Sequence, residues 1–259
     1  MLKRGFPDLI HQQIDDYGKI RVYEDHQERY LLFDTDAKQG GILRSNPRFS
    51  TLKYQHVMQS VAFLGLDIKN ILLIGLGGGS MANFFQVIFP NSKVKVVELR
   101  AGVCEVAKKY FFLQNLPPLS LEIKDIVGYF SNNGEERFDV IILDAFMNEG
   151  MPSKINHPSF FNTCKEKLSH QGILVMNYWN SQYKENSHNL TIAKYIFDQR
   201  IMIAPVSGCS NMICFLFKNI TPPNSLLGNI DSNIEKANDY YKIPYQQYLQ
   251  KIIDKKKEG

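Results

Sequence analysis

The stretch "ILLIGLGGGSMANFF", residues 71–85, constrains the chain more than any other. A short, wholly apolar run reads as a strand covered on both faces. A glycine-rich turn follows, and then Met81, Phe84, Phe85 and Ile88 recur at helical spacing as far as Pro90. Strand, tight glycine turn and helix form the opening unit of a nucleotide-binding α/β sheet. The rest of the chain keeps that rhythm. "KVKVVEL", "LSLEIKD", "FDVIILDAF" and "ILVMNYW", the last opened by Gly172, read as strands. "AGVCEVAKKYFF", "PSFFNTCKEKLS" and "HNLTIAKYIFDQR" read as helices, and "IMIAPV" with "MICFLFK" as a closing hairpin around "SGCSN". Alternating strands and helices imply right-handed crossovers and a mostly parallel sheet.

Three zones are expected: residues 1–48, 49–219 and 220–259. The first carries short strand-like alternation at Ile20, Val22, Tyr30, Leu32 and Phe33, with another short strand in "GGILRSNP". It reads as a small antiparallel meander with too little apolar mass for its own core, packed on the second zone. The last reads as a helix, a proline break and a short amphipathic helix.

Composition excludes several classes. A net charge of +4 gives little reason to expect a nucleic-acid partner. The start has no apolar signal core, and no apolar run of about eighteen residues exists to span a membrane. Cys104, Cys164, Cys209 and Cys214 form no CxxC pair, and no histidine has a partner at metal-ligand spacing. This fits a cytoplasmic chain without metal or disulfide. His56 and His157 read as surface or capping residues.

The candidate site is read from the strand ends, where such sheets bind ligands. The first strand ends in Gly75, Leu76, Gly77, Gly78 and Gly79, the second in Glu98, the third in Asp125 and the fourth in Asp144. An acid about twenty residues past the glycine turn suits both hydroxyls of a ribose. The dinucleotide pattern G-x-G-x-x-G fails at Ser80, and no Walker lysine follows the turn. The set instead suits an S-adenosyl thioether or sulfonium as co-substrate. Glu98 would hold its ribose, Asp125 the adenine amino group, and the turn its tail. Structural alternatives remain beside these readings: a plain tight turn for the glycines, and a hydrogen-bond acceptor at a strand end for Asp144.

The order of "YQHVMQSVAFLG", "ILLIGLGGGS", "KVVELRAGVCEVAKKYF", "LEIKD", "FDVIILDAFMNEGMP" and "SGCSNMICFLFKN" resembles the spermidine synthase (polyamine aminopropyltransferase) family across most of the chain. The resemblance implies a small β domain followed by a Rossmann-like, S-adenosylmethionine-dependent methyltransferase-type domain, assembled as a homodimer or homotetramer. It implies aminopropyl transfer from decarboxylated S-adenosylmethionine to a polyamine such as putrescine. Methyl transfer from S-adenosylmethionine and nucleotide binding without catalysis are the alternatives. It makes Glu98 the ribose acid, Asp125 the acid near adenine, and Tyr54 and Gln55 residues of the polyamine site. Asp144 becomes the first aspartate of the family's D-x-x-D motif, and Pro152 the proline after it. The departures are equally specific. The family aspartate of the glycine turn is Gly78 here, and the second aspartate of D-x-x-D is Met147. The family glutamine before the Tyr54 helix falls at Arg44 or Ser45. Glu149, Asp144 and, nearby in sequence, His157 are the candidates for the missing base, with a solvated loop position as the alternative for Glu149.

Overall fold

The computed structural model describes residues 6–113, 119–145, 152–179, 183–220 and 233–250. The chain opens with four strands, β1 (Asp8–Asp15), β2 (Gly18–Glu24), β3 (Glu28–Leu32) and β4 (Lys38–Leu43), paired in sequence order into an antiparallel meander. The sequence reading missed β1, and for a physical reason. Its segment DLIHQQID is largely polar and mostly exposed, so its strand character comes from pairing with β2 rather than from its own pattern. The polar, glycine-containing segment "DTDAKQGG" turns over fewer residues than its composition suggests, because β4 already begins at Lys38.

A short helix α1 (Lys53–Gln59) and a 3₁₀ turn (Ser60–Phe63) lead into the second sheet. Its parallel part consists of β5 (Asn70–Ile74), β6 (Lys93–Glu98), β7 (Leu119–Ile123), β8 (Phe138–Leu143) and β9 (Leu168–Trp179). The helices α2 (Ser80–Ile88), α3 (Ala101–Tyr110), α4 (Ile126–Asn132), α5 (Pro158–Lys167) and α6 (Tyr183–Ile196) provide the crossovers. β10 (Ile201–Pro205) and β11 (Asn211–Phe217) close the sheet, with β11 inserted antiparallel between β9 and β10. The order is β10-β11-β9-β8-β5-β6-β7, so the strand order reverses between the parallel neighbours β5 and β8. That reversal opens a crevice at the carboxyl ends of these two strands. β9 starts at Leu168, four residues before the Gly172 expected to open it, and pairs there with Phe138 of β8.

The parallel strands are apolar because helices cover both faces. Ile71, Leu73, Val94, Val96, Val140 and Ile142 face one core cluster, and Leu72, Ile74, Ile141 and Leu143 face the other. The meander shares the first cluster through Ile20, Val22, Leu31 and Ile42. So does the carboxyl-terminal segment, where α7 (Asn233–Tyr241) and the helical residues 245–250 bury Ile234, Tyr241, Tyr245 and Leu249. The Tyr245 hydroxyl donates to Gln59 Oε1 at 2.7 Å, which satisfies a buried phenol. A bidentate ion pair also ties the meander to β6. Arg100 Nε and Nη2 donate to the two Asp15 carboxylate oxygens at 3.0 and 2.9 Å, with the guanidinium stacked on Phe33.

Candidate functional site

The glycine turn leaves β5 in a conformation that side chains rarely adopt, with Gly75 at φ +94°. A Cβ on Gly75 would lie 2.4 Å from the Asp144 carbonyl oxygen, so the turn passes directly against the end of β8. At Gly78 the constraint comes from β4. A Cβ on Gly40 would lie 2.6 Å from Gly78 N, and one on Gly78 would meet Phe111 at 3.2 Å and Gly40 Cα at 3.4 Å. The meander therefore packs backbone to backbone on the turn. An aspartate at position 78 would have its stem pinched between Phe111 and β4.

Glu98 holds the other side of the turn. Its Oε2 accepts from Leu76 N at 2.8 Å and its Oε1 from Arg100 N at 2.9 Å. The side chain is 7% exposed. Burial pushes its carboxyl up, against the Arg100 and Leu76 amides and the Arg100 charge, which pull it down. Each oxygen keeps a lone pair for a further donor. Asp125 is exposed and caps α4, its Oδ1 accepting from Val127 N and Gly128 N at 3.0 and 3.2 Å. Ser80 Oγ, at the start of α2, is buried and has no partner among the described residues.

Across the switch point, Asp144 lies directly after β8. Tyr54 Oη donates to its Oδ2 at 3.0 Å, and Asn177 Nδ2 to its Oδ1 at 2.9 Å. Asn211 Nδ2 in turn donates to Asn177 Oδ1 at 2.9 Å. Burial raises the Asp144 pKa above its ordinary value, opposed by these donors and by the nearby Gln55 amide. Tyr54 is pushed far above its ordinary value, first by burial and then by the Asp144 charge, so it stays protonated and donating. Gln55 is buried beneath the site, where its Oε1 accepts from Ser50 Oγ at 2.6 Å.

A cavity of about 350 Å³ opens beside this cluster, lined among others by Gln39, Lys53, Tyr54, Asn177, Ser210 and Asn211. A second cleft, about 390 Å³, lies between α4 and α5 and contains none of the strand-end acids. The structure thus brings the glycine turn, Glu98, Asp125 and Asp144 to the carboxyl ends of neighbouring strands, with Tyr54 and Gln55 beside Asp144. Glu149 and Met147 lie outside the described residues. Arg44 is turned toward Glu24 and Asp25, whereas Gln39 lines the cavity and its carbonyl oxygen overlies Gly77. His157 caps α5, as expected. His56 is buried instead of superficial, bonded to the Ser50 carbonyl at 2.7 Å and packed against Phe49. Sequence reasoning missed Asn177, Asn211 and Gln39. The one available signal was an asparagine interrupting the apolar run "ILVMNYW". Among the described residues no helix is long and apolar enough to cross a membrane, and no cluster of metal-ligating side chains occurs.

Residues 52–216 match the family described as the Spermine/spermidine synthase domain, from the start of α1 to the end of β11. The chain belongs to this family. Among its relatives, the polyamine aminopropyltransferase of Vibrio vulnificus is 29% identical over 203 residues, 75% of this chain and 67% of the relative. That of Neisseria meningitidis serogroup A is 23% identical over 252 residues, 95% of this chain and 89% of the relative. A solved spermidine synthase in complex with the transition-state analogue AdoDATO superposes with a TM-score of 0.71 at 18% identity, covering 95% of this chain and 85% of that one. Human methyltransferase-like protein 13 in complex with SAH superposes with a TM-score of 0.60 at 21% identity, covering 77% and 93%. The spermidine synthase family member described here therefore shares the Rossmann-like fold of both enzyme types.

Proposed function

We propose that this chain transfers an alkyl group from the sulfonium of an S-adenosyl-type nucleotide to an amine held beside Asp144. Decarboxylated S-adenosylmethionine is the donor and aminopropyl the group transferred. One observation carries the reading. The carboxylate at the end of β8 is held by Tyr54 and Asn177, beside a cavity and against the glycine turn. Family membership and the adenosyl ligands named for the two structural neighbours support the donor class.

An amine attacks carbon only through its free electron pair, yet alkyl ammonium groups have pKa values near 10.4, so a proton must leave first. Asp144, made more basic by burial, accepts that proton with the lone pairs its two donors leave open. The amine nitrogen then bonds to the carbon beside sulfur. The carbon–sulfur bond breaks, and its electron pair stays on sulfur as a neutral thioether. Nothing covalent forms on the protein, so catalysis is positioning and proton transfer. On the donor side, Glu98 and Asp125 supply carboxylates for ribose hydroxyls and an adenine amino group, and Ser80 Oγ offers an unused buried hydroxyl.

Gly78 favours a second reading. No carboxylate stands there for the aminopropyl ammonium, which suits a donor that keeps its own carboxylate, namely S-adenosylmethionine in methyl transfer. Incubation of the purified protein with each donor and a mixture of amines separates them. Methylthioadenosine release supports aminopropyl transfer, and S-adenosylhomocysteine release supports methyl transfer. Nucleotide binding by calorimetry with neither product would overturn both.

A further inference from the structure

We infer that Asn211 is a positioning residue for Asp144, acting through Asn177: it fixes which end of the Asn177 amide faces the carboxylate. This rests on the reading of Asp144 as proton acceptor and adds the residue that keeps it one. β11 opposes β9 in a register that sets Asn211 against Trp179 and Ile213 against Asn177. Asn211 and Asn177 are therefore diagonal neighbours on one face of the sheet. The Asn211 carbonyl accepts from Val206 N at 3.0 Å, which pins the start of β11 across the hairpin turn. Asn177 is 3% exposed.

A side-chain amide can be turned end for end with little change of shape, so its direction has to be set by its partners. An ionised carboxylate only accepts, and Asn177 Nδ2 donates to Asp144 Oδ1 at 2.9 Å. At the other end, Asn211 Nδ2 donates to Asn177 Oδ1 at 2.9 Å. Turning Asn177 would bring two donors together at Asn211 and two acceptors together at Asp144. The bonds thus run one way, from Asn211 to the carboxylate. Without the Asn211 donor, a turned Asn177 sets its oxygen against Asp144, and the carboxyl responds by taking a proton. It is then unable to accept one from an amine. Around Asp144, Tyr54 on α1 donates to the other carboxylate oxygen and burial keeps it protonated. Lys38, Lys53 and Cys209 are further titratable residues of the cavity wall, and Glu98 bonds the far side of the glycine turn. His56, lowered by burial to about 4, titrates in the acid range, so Asp144 has to be read by its own signal.

The test is the titration of Asp144 in the full chain carrying Asn211→Leu, Asn177→Leu or both. NMR of the Asp144 carboxyl carbon reads its midpoint without turnover. Asn211→Leu should raise that midpoint. On the acid limb kcat should fall about tenfold while the KM for nucleotide stays within about twofold, the scale of one lost hydrogen bond on the acceptor side. Asn211→Gln keeps an amide donor and should restore most of both. In the Asn177→Leu background, Asn211→Leu should move neither, because its effect passes through Asn177. An unmoved midpoint in Asn211→Leu, an equal rise in the Asn177→Leu background, or a glutamine variant that behaves as the leucine variant overturns the inference. Transfer from neither nucleotide donor overturns the proposed function instead, and the midpoint still decides what Asn211 does to Asp144.

Discussion

The two halves of the proposed site, a donor side and an acceptor side, differ in how far apart in the chain their partners lie. On the donor side, Glu98 bonds the amides of Leu76 and Arg100, 22 and 2 residues away. On the acceptor side, Asp144 is held by Tyr54 and Asn177, 90 and 33 residues away. The donor half is one strand–turn–helix–strand unit organised around backbone amides. The acceptor half is a side-chain network assembled from α1, β8, β9 and β11. Backbone amides are available whatever the side chains, so the donor half tolerates sequence drift around its glycines. The acceptor half depends on the identity of each member.

The sharpest way to break this division is Asp144→Asn. It keeps the shape and loses the base, so turnover should fall about 10²–10⁴-fold while nucleotide affinity by calorimetry stays within about threefold. A comparable loss of nucleotide affinity would mean that the halves are one unit. The same carboxylate predicts a pH profile. Its pKa is raised, so the rate should fall with acid at a pH above the ordinary 3.8 of an aspartate, and that limb should vanish in the variant.

Glu98→Ala attacks the other half. It leaves two buried amides unpaired and should weaken nucleotide binding at least about 100-fold, with a stability loss of about 2 kcal/mol by denaturant titration. Retained affinity would show that ribose is held elsewhere. Gly40→Ala tests whether the meander belongs to the donor half. Its Cβ would stand 2.6 Å from Gly78 N, against backbone that cannot turn aside, so about 1–3 kcal/mol of stability should be lost together with nucleotide affinity.

His56 supplies the smallest and most discriminating effect. It sits on α1 two residues after Tyr54, and burial first, then Lys53, lowers its pKa to about 4 from 6.5, against the Ser50 carbonyl. Below pH 6.5 the unfolded chain binds a proton there that the folded chain refuses. Stability should therefore fall as pH drops from 6.5 toward 4. Thermal unfolding across that range checks it. His56→Gln should flatten this component, and an unchanged slope would place the pH sensitivity elsewhere.

Much of this arrangement was legible before any coordinates. The apolar runs at residues 71–74 and 140–143 are covered on both faces, so their burial is written in composition, and the glycines and acids at their ends follow by position. The meander strand β1 was not legible, because its polar segment acquires strand structure only through β2. Nor were Asn177 and Asn211, which carry no motif and become site residues only when β11 inserts beside β9 and aligns Asn211 with Trp179 and Ile213 with Asn177.

Local patterns sufficed for the fold class, the glycine turn and the three strand-end acids, because each depends on neighbours within a few residues or on strand periodicity; the departures at Gly78 and Met147 came from the family resemblance. Tertiary packing alone decided that β4 seals Gly78, that Tyr54 reaches Asp144, and that Asn177 and Asn211 line the cavity beside them. Those contacts join segments tens of residues apart, and their geometry exists only once the sheet order has closed.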